Sequence, residues 1–128
     1  MNTEQIRAVI DSYYTNVAAM NAEGVLVNFA PDAISHDPVG EPPAKVHEGF
    51  SEFIVRLQAV FTSLETAIES IFITGNSTAV KWKTQGVSKT GKSVFFEGIT
   101  IFEMNDNGKI QTTRAYWSPA EMIAQLRS

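Results

Sequence analysis

Residues 93–117 read SVFFEGITIFEMNDNGKIQTTRAYW. Ser93–Met104 alternates as a strand alternates: Val94, Phe96, Gly98, Thr100 and Phe102 fall on one side, Phe95, Glu97, Ile99, Ile101 and Glu103 on the other. Asn105–Gly108 is a turn whose glycine suits a positive φ. Lys109–Trp117 then predicts a second strand, with Thr113, Ala115 and Trp117 on one side and Thr112, Arg114 and Tyr116 on the other. Gly98 removes bulk from the first side and leaves room there.

Working outward, Lys89–Lys92 is a turn. Thr78–Val87 is another alternating run, with Val80, Trp82 and Thr84 opposed to Lys81, Lys83 and Gln85. Glu65–Thr74 is rich in β-branched residues and stops at Gly75-Asn76. Upstream the period changes. Thr3 is a candidate N-cap, and Ile6, Val9, Ile10, Tyr13, Val17 and Met20 recur at helical spacing, with Tyr13 near the centre of the stripe and Tyr14 toward its rim. Asn21 is positioned to cap a short helix over Ala22–Phe29. Pro31-Asp32 reads as a turn, Ala33–Asp37 as a short strand and Glu48–Ser63 as a third helix. Ser118 and Pro119 open a C-terminal helix. Helices followed by several short-turned antiparallel strands predict an α+β domain spanning residues 1–128, its helices covering one face of a curved sheet.

The chain has 128 residues, 44% of them hydrophobic, enough for one core. A net charge of −4 offers no basic footprint for nucleic acid and no polybasic segment for a membrane surface. No apolar run is long enough to span a bilayer. With no cysteine and two histidines, thiolate catalysis is excluded and a metal site is not expected. A soluble cytoplasmic protein is the expectation.

Polar groups that could enter a cavity between sheet and helices are few. Asp37 precedes Pro38, Gly40, Pro42 and Pro43, so it ends its strand and faces the same way as Ala33 and Ser35. It is either a solvated loop carboxylate or a reactive group at a cavity mouth. Tyr13, Thr100 and the Trp117 indole are either ordinary core residues or polar contacts of a ligand, with Phe96 and Trp82 as apolar wall.

FAPDAISHDPVGEPP, residues 29–43, and GKIQTTRAYWSP, residues 108–119, resemble the ketosteroid isomerase (steroid Δ-isomerase) family of the nuclear transport factor 2-like, or SnoaL-like, superfamily. The match runs without a gap from Ile6 to Pro43 and more loosely to Ser118. It implies a cone-shaped, curved antiparallel sheet enclosing an apolar pocket, a homodimer formed through the sheet face, and no cofactor. It implies Asp37 as general base, Tyr13 as oxyanion donor and Trp117 as a pocket residue. The family's protonated aspartic acid corresponds here to Thr100, and two further family tyrosines correspond to Phe29 and Ile54. The activity implied is proton transfer within a small apolar carbonyl compound, steroid-like or polyketide-like. A SnoaL-like cyclase, dehydratase or hydrolase, and a non-catalytic small-molecule-binding dimer, are the alternatives that the replacements at positions 29, 54 and 100 keep open.

Overall fold

A computed structural model describes residues 1–128. Helix α1 (Thr3–Ala18) and the short helix α2 (Ala22–Leu26) lead into strand β1 (Phe29–His36). A two-residue strand β2 (Ala44–Lys45) precedes helix α3 (Val46–Val60). Strands β3 (Phe61–Thr74), β4 (Ser77–Ser88), β5 (Ser93–Met104) and β6 (Ile110–Tyr116) follow, and α4 (Pro119–Arg127) closes the chain. The six strands form one sheet in the order β2-β1-β6-β5-β4-β3.

Local chemistry sets the boundaries. Asn2, not Thr3, caps α1: its side chain accepts from Gln5 N while the Gln5 side chain accepts from Asn2 N. That reciprocal pair needs a long amide at the third helical position, which Thr3 would not have because Ile6 would stand there. Asn21 and Ser118 cap α2 and α4 as expected. The third helix begins two residues earlier than expected and yields at Phe61 to β3, whose ladder with β4 runs from Phe61–Ser88 to Thr74–Ser77. Phe61, expected on the helix, instead packs with Leu64 and Val94 in a small second core.

Phe29 opens β1 rather than ending a helix, and Pro31-Asp32 lies inside that strand. The β1–β6 register jumps from Phe29–Ile110 to Ile34–Thr112, so three extra residues bulge out of β1. The bulge accommodates Pro31, which has no N–H for a ladder. One pairing departs from an all-antiparallel sheet: β1 runs parallel to β6.

The β5 alternation holds. Val94, Thr100 and Phe102 are buried, while Phe95 and Ile99 are exposed. The main core joins Ile6, Ile10 and Tyr14 of α1 to Val80, Trp82 and Phe102 of the sheet. β6 stops short of covering the first residues of β5. There the Gln125 side-chain amide takes the place of a strand, accepting from Phe95 N at 2.8 Å and donating to Phe95 O at 2.6 Å. This covers an open sheet edge and brings Met122 of α4 over the concave face. No helix is long and apolar enough to cross a membrane.

Candidate active site

The parallel pairing of β1 with β6 decides where Asp37 goes. Strands that run the same way end at the same edge. Ser35 pairs with Thr113 and His36 with Arg114, and Val39 N donates to Ala115 O at 2.8 Å. Asp37, just past the end of β1, therefore meets Trp117, just past the end of β6. Trp117 Nε1 donates to Asp37 Oδ1 at 2.6 Å. An indole N–H only donates, so it favours the ionised carboxylate and leaves Oδ2 free.

Trp117 is held by aromatic contacts. Its ring stacks on Phe96 at 5.3 Å and meets Trp82 edge-on at 6.3 Å. Gly98 makes the room: a Cβ there would collide with the Tyr116 carbonyl, stand 2.8 Å from Trp117 Cβ and 3.0 Å from Trp82 Cζ2. Backbone and two tryptophans would all have to shift. Gly98→Ala is expected to cost about 1–3 kcal/mol by overpacking, read as a lower urea midpoint with an unchanged slope. An unchanged midpoint would mean that the indoles are not tightly seated.

Two cavities meet at Tyr13, Asp37 and Phe53. The inner one, about 140 Å³, is walled by Trp82, Phe96, Trp117, Leu57, Leu64 and Met122, with Tyr14, Thr66, Thr84 and Thr100 as its other polar groups. The outer one, about 220 Å³, is more polar and is lined by Phe29, Ser35, Lys45, Phe50, Glu52 and Arg56 among others. Asp37 as a residue is exposed, because it stands where the cavities open, but its carboxyl group is enclosed by protein. The carboxyl's own surroundings govern its titration. Burial raises the Asp37 pKa, and the Trp117 hydrogen bond offsets part of that rise.

A raised pKa has a stability consequence. Between the ordinary value of 3.8 and the folded value, the native state holds a proton that the unfolded chain has lost. Stability therefore falls as pH rises through that window, and the penalty is complete above the folded pKa. Asp37→Asn is expected to raise Tm at pH 7, the gain shrinking as pH drops toward 3.8. A variant less stable than wild type at pH 7 would show that the carboxylate is better compensated than its burial implies.

Tyr13 lies edge-on to Phe29 at 5.9 Å and to Phe102 at 5.2 Å. Burial first, then the negative charge of Asp37, raises its pKa well above the ordinary value, so its hydroxyl remains a donor at any working pH. Thr100 Oγ1 accepts from Trp82 Nε1 at 2.9 Å.

Seven of the eight candidate residues thus line these cavities: Asp37, Tyr13, Trp117, Thr100, Phe96 and Trp82 the inner one, and Phe29 the outer. Ile54 does not. It is buried, but on α3 it stands about 100° round from Phe53, which lines both cavities. Tyr14, expected at the rim of the helix stripe, is buried to 8% exposure. Both tyrosines line the inner cavity, Tyr13 half-buried and Tyr14 buried. Met122 and Leu57 sit at helical spacing with other apolar residues, which signals a buried face but not a cavity wall. His36, half-buried, lines neither cavity, and Glu48 is exposed in the first turn of α3.

A SnoaL-like domain model matches residues 10–112. The chain belongs to the SnoaL-like domain family. This SnoaL-like domain is 23% identical over 119 residues to the steroid Delta-isomerase of Nocardioides simplex, covering 93% of this chain and 94% of that one. Its fold is similar to an LEH-like epoxide hydrolase of M. tuberculosis at TM-score 0.78 and 18% identity, covering 98% of this chain and 91% of that one. It is also similar to an NTF2-like protein of unknown function from Burkholderia pseudomallei at TM-score 0.84 and 16% identity, each chain covered in full. These likenesses establish the NTF2-like fold, an α+β sheet curved around its helices.

Proposed function

We propose that this SnoaL-like domain is an isomerase that moves a proton within a small apolar carbonyl compound, without a cofactor. The observation that carries it is the Asp37–Trp117 bond at 2.6 Å, opening on the cavity that Tyr13 also lines. Free Oδ2 of Asp37 takes the proton from the carbon that joins a ketone to a carbon–carbon double bond. The electrons move into a dienolate, whose oxygen accepts from Tyr13. The protonated carboxyl then returns the proton two carbons further along. A pKa raised by burial brings the base closer to the strength this step needs, and the aromatic wall keeps water from the dienolate.

The likeness to a steroid Delta-isomerase supports a flat, apolar ketone as substrate. The test is an absorbance assay of an unconjugated 3-ketosteroid turning into its conjugated isomer. Turnover that depends on Asp37 supports the proposal, and no turnover removes the steroid assignment. The inner cavity would then serve hydrolase or cyclase chemistry on another scaffold, or binding alone.

The outer sheet face supports a homodimer. Phe72, Phe95, Ile99 and Tyr116 are exposed there at 70%, 49%, 44% and 51%. Such a face is shielded from water by a second copy. Light scattering is expected to give twice the 14.1 kDa chain mass for wild type and the chain mass for Ile99→Glu. A monomeric wild type would remove the dimer.

A further inference from the structure

The Tyr14 hydroxyl is buried without a hydrogen-bond partner. A hydroxyl left unpaired in a protein interior costs free energy, so its place needs a reason. The Tyr14 side chain lines the inner cavity, as Thr100 does, with the hydroxyl itself closed off in the free protein. Thr100 is itself 5% exposed, and its oxygen accepts from the Trp82 indole, which is 7% exposed. An indole N–H cannot accept, so the direction of this bond is fixed. The single Thr100 proton must therefore point away from Trp82. The Thr100 hydroxyl is close enough to act on Tyr14 as a hydrogen-bond partner, which partly offsets the effect of burial on it, although the pair falls outside ordinary hydrogen-bond geometry in the free protein. If Thr100 donates to Tyr14, the Tyr14 proton is left for an acceptor on the cavity side that the ring lines.

We propose that Tyr14 is a second donor to the ligand oxygen, aimed by Trp82 and Thr100. The proposal rests on the isomerase reading of the same cavity. Tyr13 and Tyr14 are ring neighbours, with centroids 4.9 Å apart at 87°, and both lie edge-on to Phe102. An oxygen that accepts from Tyr13 thus has Tyr14 within the same wall. When the ligand oxygen accepts from Tyr14, the Tyr14 oxygen becomes a better acceptor and draws the Thr100 proton. The indole, threonine and tyrosine then form a one-way chain of donors ending on the ligand. Tyr14 is the catalytic residue, while Thr100 and Trp82 are positioning residues. A neutral hydroxyl chain thereby fills the place that the resemblance assigns to a carboxylic acid.

The probe is 2-naphthol, whose phenolate has the flat ring and the charge of a dienolate. The parent protein is Asp37→Asn, which stands for the state in which the base has taken the proton. Affinity and the fraction of bound phenolate are read by fluorescence. Tyr14→Phe is expected to weaken binding at least about tenfold, as for a lost hydrogen bond to an anion, and to lower the phenolate fraction. Its Tm is expected to be unchanged or higher, because the hydroxyl removed has no partner in the free protein. Thr100→Val is expected to weaken binding too, by less, but not when Tyr14 is already Phe. Thr100→Ser, which keeps the hydroxyl, is expected to restore the parent's affinity.

Tyr14→Phe that binds like the parent, while Tyr13→Phe binds worse, overturns the role of Tyr14 and leaves the isomerase reading standing. A Thr100→Val loss that persists in full with Tyr14→Phe overturns the chain, since Thr100 would then touch the ligand directly. A parent that binds no 2-naphthol, or binds it equally well with Tyr13→Phe, overturns the isomerase reading and this proposal with it.

Discussion

Asp37→Asn is expected to lower isomerisation by about 10²–10⁴-fold in kcat and leave the affinity for the ketone nearly unchanged. The amide has the shape of the carboxyl and can still accept from Trp117 Nε1, so the cavity wall is preserved. What it cannot do is take a proton. The loss therefore falls on the chemical step. The wild-type rate is expected to rise with pH through the Asp37 pKa, which burial places above the ordinary carboxylate value. Only the ionised form is a base, so the acid limb reports that group and disappears in the variant. Equal rates for both proteins would remove Asp37 as the base. A loss confined to KM would assign it to binding.

Tyr13→Phe is expected to lower kcat by about 10²–10³-fold, the usual effect of removing one donor to a developing oxyanion. The substitution deletes one hydroxyl and little else. Phe29 and Phe102 pack on the edges of the Tyr13 ring, and a phenylalanine ring keeps both contacts. The loss is expected in kcat more than in KM, because the charge on the ligand oxygen develops only as the proton leaves. The tyrosine itself does not titrate in the working range, held protonated by burial and by the charge of Asp37. The acid limb of the rate profile should therefore be the same in wild type and Tyr13→Phe. A shifted limb would mean that removing the hydroxyl had disturbed Asp37, and a loss carried by KM alone would reduce Tyr13 to packing.

Much of the fold is legible in local chemistry. Strand alternation places Thr100, Phe102 and Phe96 on the concave side, because successive side chains must point to opposite faces. The glycine turns at Gly75, Gly91 and Gly108 have the positive φ that stops a strand. Gly98 opposite Trp82 already marks a place where bulk is missing. Proline-rich chain after Asp37 marks the end of β1. The same rules err where a partner overrides them. Phe61 has the spacing of a helical residue and becomes strand because β4 offers it a full ladder. Pro31 has the look of a turn and is carried inside β1 as a bulge against β6. Ile54 has the spacing of an apolar helix face, but periodicity tells which side is buried and not which buried side chain meets empty space.

The sequence by itself determined the residue types of the site and the faces they share: a carboxylate at a strand end, tyrosines on one helix, and a threonine and tryptophans on inward strand positions. Nothing local says that residue 37 meets residue 117. That contact exists because β1 lies parallel to β6, so both strands end at one edge of the sheet, and antiparallel pairing would have sent Trp117 to the other. The tertiary structure likewise decided that Tyr14 is buried unpaired beside Thr100, since a hydroxyl's partners come from whichever strands fold against its helix.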